Sequence, residues 1–435
     1  MIFINNLKFS KTLLYLIISS IIPFLIWGPF FPDLILSISA LYFLFYIFKS
    51  RSFYFFNNKL LIIFFIFCCY CVLLSLFVAE DMMLSFESSL FYFRIGLFSC
   101  FIWYLIDKDK TILTYFYYSL ILSFVALVID GYIQFFTGQN IFGWPKGHHY
   151  RVSSLFGDEL ILGSFLSRLF PLLFALFLIK KKQKFEIYLI GFLFIFIDVL
   201  IFITGERTSF VFLNISTLFI IILIKKYKKF RIITFCTALS LIVFLGFNFS
   251  ELSSRMLTKT ASDMGLINVE KNSNEDNQKE LTLETANFII FSTAHDSLIR
   301  TAYKMFKDQP LFGHGPKMFR IICSNQKYQV GNKPCDIHPH NFYIQLLAET
   351  GLIGFLFLLS IFISILYISL KQFNCLILKK KKPLTDYQVC LLACILISVW
   401  PLSPNGNFFH NWLIVIYSLP IGFYLQSIYG KKKLI

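Results

Sequence analysis

Long apolar runs follow one another along the whole chain, and short polar segments separate them. A helix needs about 20 apolar residues to cross the hydrocarbon core of a bilayer. The pattern therefore predicts an all-α polytopic membrane protein with about 12 transmembrane helices. We expect these helices near residues 12–28, 31–48, 60–78, 86–106, 112–135, 158–179, 186–204, 208–224, 230–248, 341–370, 387–401 and 411–429.

One long segment, residues 249–340, departs from this pattern. Its polarity rises most sharply over residues 270–280, which read EKNSNEDNQKE. Further on, Leu298, Ala302 and Met305 keep the spacing of one helix face. We therefore predict three regions: transmembrane helices 1–9 in residues 1–248, a large, partly helical outer loop domain in residues 249–340, and transmembrane helices 10–12 in residues 341–435.

The basic residues indicate the orientation of the helices. The chain has 40 Lys and Arg, 24 Asp and Glu, and a net charge of +16. We expect no nucleic acid partner, because the basic residues lie in clusters between pairs of apolar runs, as at Lys180 to Lys184, Lys225 to Arg231 and Lys379 to Lys382. Cytoplasmic loops are enriched in Lys and Arg. Both termini should therefore be cytoplasmic, and residues 249–340 should lie outside.

Two of the ten cysteines lie outside the apolar runs and their borders. These two, Cys323 and Cys335, fall in the outer loop, where an oxidising compartment would permit a disulfide. With His338 and His340 they could instead supply four zinc ligands. They could also have no special role.

The run from His338 to Gly354 lies where the outer loop returns to the membrane. Pro339 suits the first turn of a helix, and His340 and Gly351 would then share one face, about 16 Å apart. Gly351 and Gly354 would let a neighbouring helix approach closely. The helix dipole would lower the pKa of His340 and keep it neutral, as a base requires. A histidine that only caps the helix is the simpler alternative.

Four arginines, Arg151, Arg207, Arg300 and Arg320, are expected at or near the outer face. Guanidinium groups bind phosphate oxygens in pairs and do not deprotonate. Phosphate is therefore their expected target, although Glu206 could simply pair with Arg207, and Arg151 and Arg300 could be solvated surface residues.

Charged residues also fall inside the predicted spans, where they are costly unless paired. Arg168 and Asp198 lie at compatible depth on consecutive spans, which favours an ion pair. Proton or ion translocation is the alternative use of these charges.

Several segments together resemble the O-antigen ligases and related lipid-linked polysaccharide transferases. The resemblance rests on four segments: His340-Asn341 followed by Gly351-x-x-Gly354, the loop beginning at Arg151, the turn Gly205-Glu206-Arg207, and the helix from Arg300 to Pro310 with its following glycines.

This resemblance implies a metal-independent, cofactor-free inverting glycosyltransferase in the bacterial inner membrane, with a periplasmic active site. The donor would be a glycan on undecaprenyl diphosphate, and the acceptor lipid A-core or another glycan. His340 would be the catalytic base, supported by Asn341, Gly351, Gly354 and His338. Arg207, Arg300 and Arg151 would bind the diphosphate.

Three other functions remain open from the sequence. An O-antigen or exopolysaccharide polymerase would use the same donor, and a protein-directed oligosaccharide transferase would differ in its acceptor. A transporter of lipid-linked sugars would instead depend on Arg94, Arg168 and Asp198 within the spans.

Overall fold

The computed structural model describes residues 8–147, 151–265, 268–269, 281–282 and 289–431, and most of these are helical. The whole polar segment 270–280 therefore lies outside the described residues. Two short strands, β1 (Asn268–Val269) and β2 (Leu281–Thr282), pair antiparallel. The helices are α1 (Lys8–Ser19), α2 (Ile21–Trp27), α3 (Phe30–Ser50), α4 (Lys59–Phe77), α5 (Met82–Leu90), α6 (Arg94–Lys108), α7 (Ile112–Thr137), α8 (Leu162–Ile179), α9 (Lys184–Ile203), α10 (Arg207–Leu223), α11 (Lys228–Asn248), α12 (Ser250–Ser253), α13 (Lys259–Asp263), α14 (Thr293–Asp308), α15 (Phe319–Ile322), α16 (Phe342–Ile377), α17 (Asp386–Ser398) and α18 (Asn411–Tyr429).

Each predicted span corresponds to helical structure, although not always to one long helix. In the described part of the chain, nine helical segments are long and apolar enough to cross a membrane. Three shorter apolar segments, 11–27, 207–223 and 386–398, occupy the other predicted positions. The chain is thus a multi-pass helical protein, while the count of twelve spans stays a prediction.

The core centres on α8, which is the most deeply buried of these long apolar segments. It packs against α17, α10, α7 and α9. The outer faces of the bundle remain apolar, with Phe247 86% exposed and Phe77 80% exposed. Large exposed apolar surfaces of this kind suit contact with lipid.

Alternate loops meet at the same end of the bundle, as the hydropathy pattern predicts. At the lysine end, defined by the basic clusters between α8 and α9, between α10 and α11, and between α16 and α17, Asp386 accepts hydrogen bonds from the backbone N–H groups of Lys225 and Lys226 at 3.1 and 2.7 Å. At the opposite end, which we call the histidine end because it carries His340, the loops after α7, α9 and α17 meet residues 249–341.

The predicted ion pair between Arg168 and Asp198 is wrong. Asp198 binds Arg231 instead, at 2.7 Å, and both side chains are fully buried. Arg231 also donates to Thr217 at 2.6 Å. Hydropathy gives the depth of a charged residue but not the face of the helix it occupies, and α9 packs against α11. Arg231 therefore belongs to the bundle interior and not to the solvated lysine cluster.

The helix after His340 also differs from its prediction. It begins at Phe342, so Pro339 lies outside its first turn. At Gly351 the backbone leaves the helical region, with φ 65° and ψ −163°. His340 and Gly351 consequently do not lie on one straight helix face. The portion from Gly351 to Ile377 is about 40 Å long at 1.5 Å per residue, so it suffices to span a bilayer by itself.

Candidate active site

His340 lies just before α16, at the point where the outer segment reaches the bundle. Its φ of 54° is left-handed, which is uncommon for a non-glycine residue. The next residue, Asn341, caps α16, because its side-chain oxygen accepts from the N–H groups of Tyr343 and Ile344 at 3.0 and 3.2 Å. An asparagine cap satisfies N–H groups that the first helical turn leaves free. His340 is thus fixed at the start of a helix, as predicted, although one residue outside the cap.

The loop between α17 and α18 holds this turn in place. The side-chain amide of Asn341 donates to the carbonyl oxygens of Pro401 and Ser403 at 2.8 and 3.2 Å. The backbone N–H of Asn405 donates to the carbonyl oxygen of His340 at 2.7 Å. Two distant chain segments therefore determine where the His340 backbone lies.

Three histidines lie together at this end. The ring of His340 is 4.1 Å from that of His338 and 5.3 Å from that of His295, which is on α14. Burial lowers the pKa of His340, partly offset by the carboxylate of Asp336, whose Oδ2 lies 3.6 Å from Nε2. Burial and the neighbouring His340 lower the pKa of His338 to about 3 and that of His295 to about 4. All three rings are therefore neutral at pH 7, and 32% of the His340 side chain is exposed.

The turn between α9 and α10 gathers arginines from three segments. Gly205, with φ +67°, brings its backbone against the side chains of Arg255 and Arg151. Arg255 donates to the carbonyl oxygen of Gly205 at 3.0 Å. Burial, followed by the charges of Arg151 and Arg207, lowers the pKa of Arg255 to about 10. Three guanidinium groups are thus close enough to repel one another, as expected of a site for an anion.

Two carboxylates balance these arginines in different ways. Glu206 accepts hydrogen bonds from the backbone N–H groups of Gly163 and Ser164 at 2.8 and 3.0 Å, and it lies 3.8 Å from Arg151. Arg207 pairs with Asp263 at 2.8 Å, so the predicted partner Glu206 is wrong. Glu206 caps α8 and lies near Arg151, whereas Arg207 is paired with an aspartate whose side chain is 28% exposed.

Arg300 lies on the exposed side of α14, with 57% of its side chain exposed. Its Nε donates to Asp296 at 2.6 Å, one helical turn earlier. Asp296 directly follows His295, so Arg300 lies close to the histidine cluster in the chain but points into solvent. The fourth outer arginine, Arg320, lies on α15, away from the Gly205 turn, and its charge acts on the buried Glu349.

His295 connects the two groups of side chains. Its ring is 5.3 Å from that of His340, and the charges of His340, Arg207 and Asp263 all influence its pKa, so it is near both groups. The hydroxyl of Ser292, which caps α14, is 2.7 Å from Nδ1 of His295. This leaves Nε2 of His295 for other contacts.

Of the two predicted glycines, Gly351 makes its close backbone contact with a loop and not with a neighbouring helix. A Cβ on Gly351 would lie 2.2 Å from the carbonyl oxygen of Leu311, and one on Gly313 would lie 2.6 Å from the backbone of Glu349. Gly354 packs against the Thr350 side chain of its own helix. The close approach predicted for this helix therefore exists, but its partner is the loop from Leu311 to Gly313.

Cys323 and Cys335 form a disulfide within the outer segment. Because the bond occupies both sulfurs, the alternative in which they bind zinc with His338 and His340 is not formed. In the part of the chain that the structure describes, no group of three or more His, Cys, Asp or Glu side chains is arranged to hold a metal ion.

Several residues of this region were not predicted from the sequence. Asp263 lies at the edge of a segment whose low hydrophobicity indicated only a polar insert, Arg255 lies just before that segment, and Asn405 belongs to a short loop between spans. His295 lies five residues before Arg300, and Asp336 lies four residues before His340. This closeness in sequence to predicted site residues is the signal that could have identified them.

Residues 189–359 match the family model described as O-antigen ligase. This segment belongs to the O-antigen ligase superfamily. The resemblance predicted from the sequence is thereby confirmed, and the match includes Arg207, Arg300, His340, Gly351 and Gly354. Arg151, Arg168 and Asn405 lie outside it. A search of curated proteins found no match to the chain. The family indicates a membrane enzyme of the glycosyltransferase type that acts on lipid-linked glycans.

Proposed function

We propose that the chain is an O-antigen ligase-like, inverting glycosyltransferase of the bacterial inner membrane, acting at the periplasmic face. Its donor is a glycan on undecaprenyl diphosphate, and its acceptor is lipid A-core or another glycan. The observation that carries the proposal is a neutral, partly exposed His340 at the same end of the bundle as the Gly205 arginines, with His295 5.3 Å from His340 and within electrostatic reach of Arg207. This arrangement pairs a base with an anion site.

In the proposed reaction, His340 accepts the proton of an acceptor hydroxyl while the hydroxyl oxygen attacks the anomeric carbon of the donor. The bond from that carbon to the diphosphate oxygen breaks, and the lipid diphosphate leaves with the electron pair. Attack opposite to the leaving group inverts the anomeric configuration. Guanidinium groups stabilise the negative charge that develops on the diphosphate.

Arg207 is the main diphosphate ligand in this proposal, and Arg151 supports it. Arg207 and Asp263 are 31% and 28% exposed, so a diphosphate can compete with Asp263 for the guanidinium group. Exposed ion pairs of this kind contribute about 0–1 kcal/mol. Arg300 would have to leave Asp296 before it could join them. Arg255, beside Gly205, is the third cation of this cluster and would also attract the diphosphate.

The test is glycan transfer by purified protein in detergent, from an undecaprenyl-diphosphate-linked glycan to lipid A-core, with EDTA present. We expect transfer by the wild type, and a loss of at least about 100-fold in His340→Ala, the range expected when a general base is removed. His410→Ala is the matched control, because His410 is an exposed histidine at the same end of the bundle and lies outside the three-histidine cluster.

The products distinguish the alternatives. Longer donor chains without modified lipid A-core would indicate a polymerase. An untouched donor would refute the transferase proposal and favour a transporter. Transfer that disappears with EDTA and returns with a divalent cation would refute metal independence. Wild-type transfer by His340→Ala would refute the role of this histidine.

A further inference from the structure

Arg168 is a buried cation in a spanning helix. It lies six residues into α8, and the residue is only 4% exposed. Among the residues that the structure describes, no carboxylate forms an ion pair with it. Charges of this kind are costly in a membrane protein and commonly mark functional positions. The position of Arg168 therefore needs an explanation other than the ion pair predicted from the sequence.

The contacts of Arg168 are all with neutral groups. Its Nε donates to the hydroxyl of Ser164 at 3.1 Å, and Nη2 donates to the side-chain oxygen of Asn405 at 3.0 Å. The guanidinium group also lies 4.7 Å from the ring centre of Phe212 and 5.8 Å from that of Tyr417. Aromatic faces partly stabilise a cation that has left water. These contacts fix the direction of the guanidinium group towards Asn405.

Asn405 joins Arg168 to His340. The Asn405 side chain binds Arg168, while its backbone N–H donates to the His340 carbonyl oxygen at 2.7 Å. Its side-chain N–H₂ also donates to the hydroxyl of Ser403 at 3.2 Å. Asn405 is itself 5% exposed, so its hydrogen bonds are shielded from water. The residues Arg168, Asn405 and His340 form one continuous chain of hydrogen bonds from the most buried helix to the proposed base.

His340 needs such support because its backbone is in an uncommon conformation. Positive φ values of non-glycine residues persist when their surroundings hold them, and they often occur at functional sites. A base must also be placed accurately, since a displacement of about 1 Å can reduce a rate by about 100-fold.

We propose that Arg168 is a positioning residue for the base: by holding Asn405, it keeps His340 in the orientation that accepts the acceptor's proton. The inference rests on the proposed function, in which His340 is the base. It assigns a purpose to an intramembrane charge that would otherwise suggest ion transport.

The experiment compares Arg168→Gln, Asn405→Ala and their double variant with the wild type. Asn405→Ala removes the bond to Arg168 but leaves the backbone N–H, and it spares the spanning helix. For each variant we would measure kcat for glycan transfer, the Kd of undecaprenyl diphosphate alone, and thermal unfolding in detergent. The same two substitutions are also made in His340→Ala protein.

We expect each single variant to lower kcat by about 10- to 100-fold without changing the Kd or the unfolding temperature appreciably. The double variant should be no slower than the worse single variant, because both act through one chain of contacts. In His340→Ala protein neither substitution should reduce the residual rate further.

Other results would overturn the inference. A weaker Kd for undecaprenyl diphosphate in Arg168→Gln would make Arg168 a direct anion ligand. Lower unfolding temperatures with parallel losses of kcat and binding in both single variants would make the contacts purely structural. Wild-type kcat in Asn405→Ala and Arg168→Gln, when His340→Ala is inactive, would refute the positioning role and leave the proposed function intact. Full transfer by His340→Ala would refute the proposed function itself.

Discussion

The junction between Gly351 and the loop at Leu311 offers the sharpest stability test. We predict that Gly351→Ala destabilises the protein strongly. The backbone at Gly351, with φ 65° and ψ −163°, lies in a region that is essentially restricted to glycine. A new Cβ would also lie 2.2 Å from the carbonyl oxygen of Leu311 and 2.6 Å from the backbone nitrogen of Phe312. Both obstacles are backbone atoms, so no side-chain rotation relieves them.

Three hydrogen bonds set the magnitude. The N–H of Leu352 donates to Pro310 at 2.8 Å, and Ala348 and Glu349 accept from the N–H groups of the loop at 3.0 and 2.8 Å. Moving Leu311 away by about 1 Å would break at least one of these hydrogen bonds, and each bond lost would cost about 1 kcal/mol of stability. The disallowed backbone adds about 1–3 kcal/mol. We therefore expect a loss of about 3 kcal/mol in the free energy of unfolding.

Gly246→Ala is the matched control. Gly246 lies within α11, and a Cβ there would meet nothing within 4 Å. Alanine in a helix interior is favoured over glycine by about 1 kcal/mol, so this variant should be as stable as the wild type or more so. Denaturant unfolding in mixed micelles would measure both. Equal stability of Gly351→Ala and Gly246→Ala would show that the junction is looser than its geometry indicates.

Two further predictions concern charged groups. The lowered pKa of His340 lies below the ordinary value of about 6.5, so transfer should stay constant above that pH and fall as pH falls through the lowered pKa. Because Asp336 favours the protonated ring, Asp336→Asn should move the acid limb of the pH–rate profile to lower pH, and a limb at higher pH would contradict this assignment. In the bundle interior, Asp198→Asn leaves Arg231 without its carboxylate and should cost about 3–5 kcal/mol in denaturant unfolding. A double variant with Asp198→Leu and Arg231→Met should recover much of that loss. If Asp198→Asn were as stable as this double variant, the argument would be refuted.

The sequence predicts the helices of this protein better than their pairing. Twelve apolar runs all became helical because hydropathy depends on each run alone. The partners of Asp198 and Arg207 were missed for a different reason. Arg231 was attributed to a solvated lysine cluster, and Asp263 lies in a polar segment with no helical periodicity. Pairing depends on which faces of two distant helices meet, and composition does not encode that directly.

The residues of the proposed site were singled out for a related reason. His340, Arg207 and Gly351 stand out because each is unusual for its place: a polar group at a membrane boundary, a charge in a tight turn, a glycine in a helix. Asn405 is not unusual in a polar loop, so its contacts with Arg168 and His340 were invisible until the fold was known. Sequence reasoning finds residues that violate a local rule, and it misses residues whose importance is a distant contact.

The two halves of the proposed site differ in how firmly they are held. His340 is anchored through Asn405 to α8, the most buried helix, by bonds shielded from water. Arg207 is held by Asp263, in a pair that is about one third exposed, and by a longer hydrogen bond of 3.3 Å to the hydroxyl of Thr260. A transferase needs this difference, because its base must not move, whereas its anion site must exchange one counter-charge for another. When a diphosphate replaces Asp263, little stabilisation is lost, since an exposed ion pair contributes about 0–1 kcal/mol. Glu206, which is more buried and caps α8, is the carboxylate that should stay in place when the donor binds.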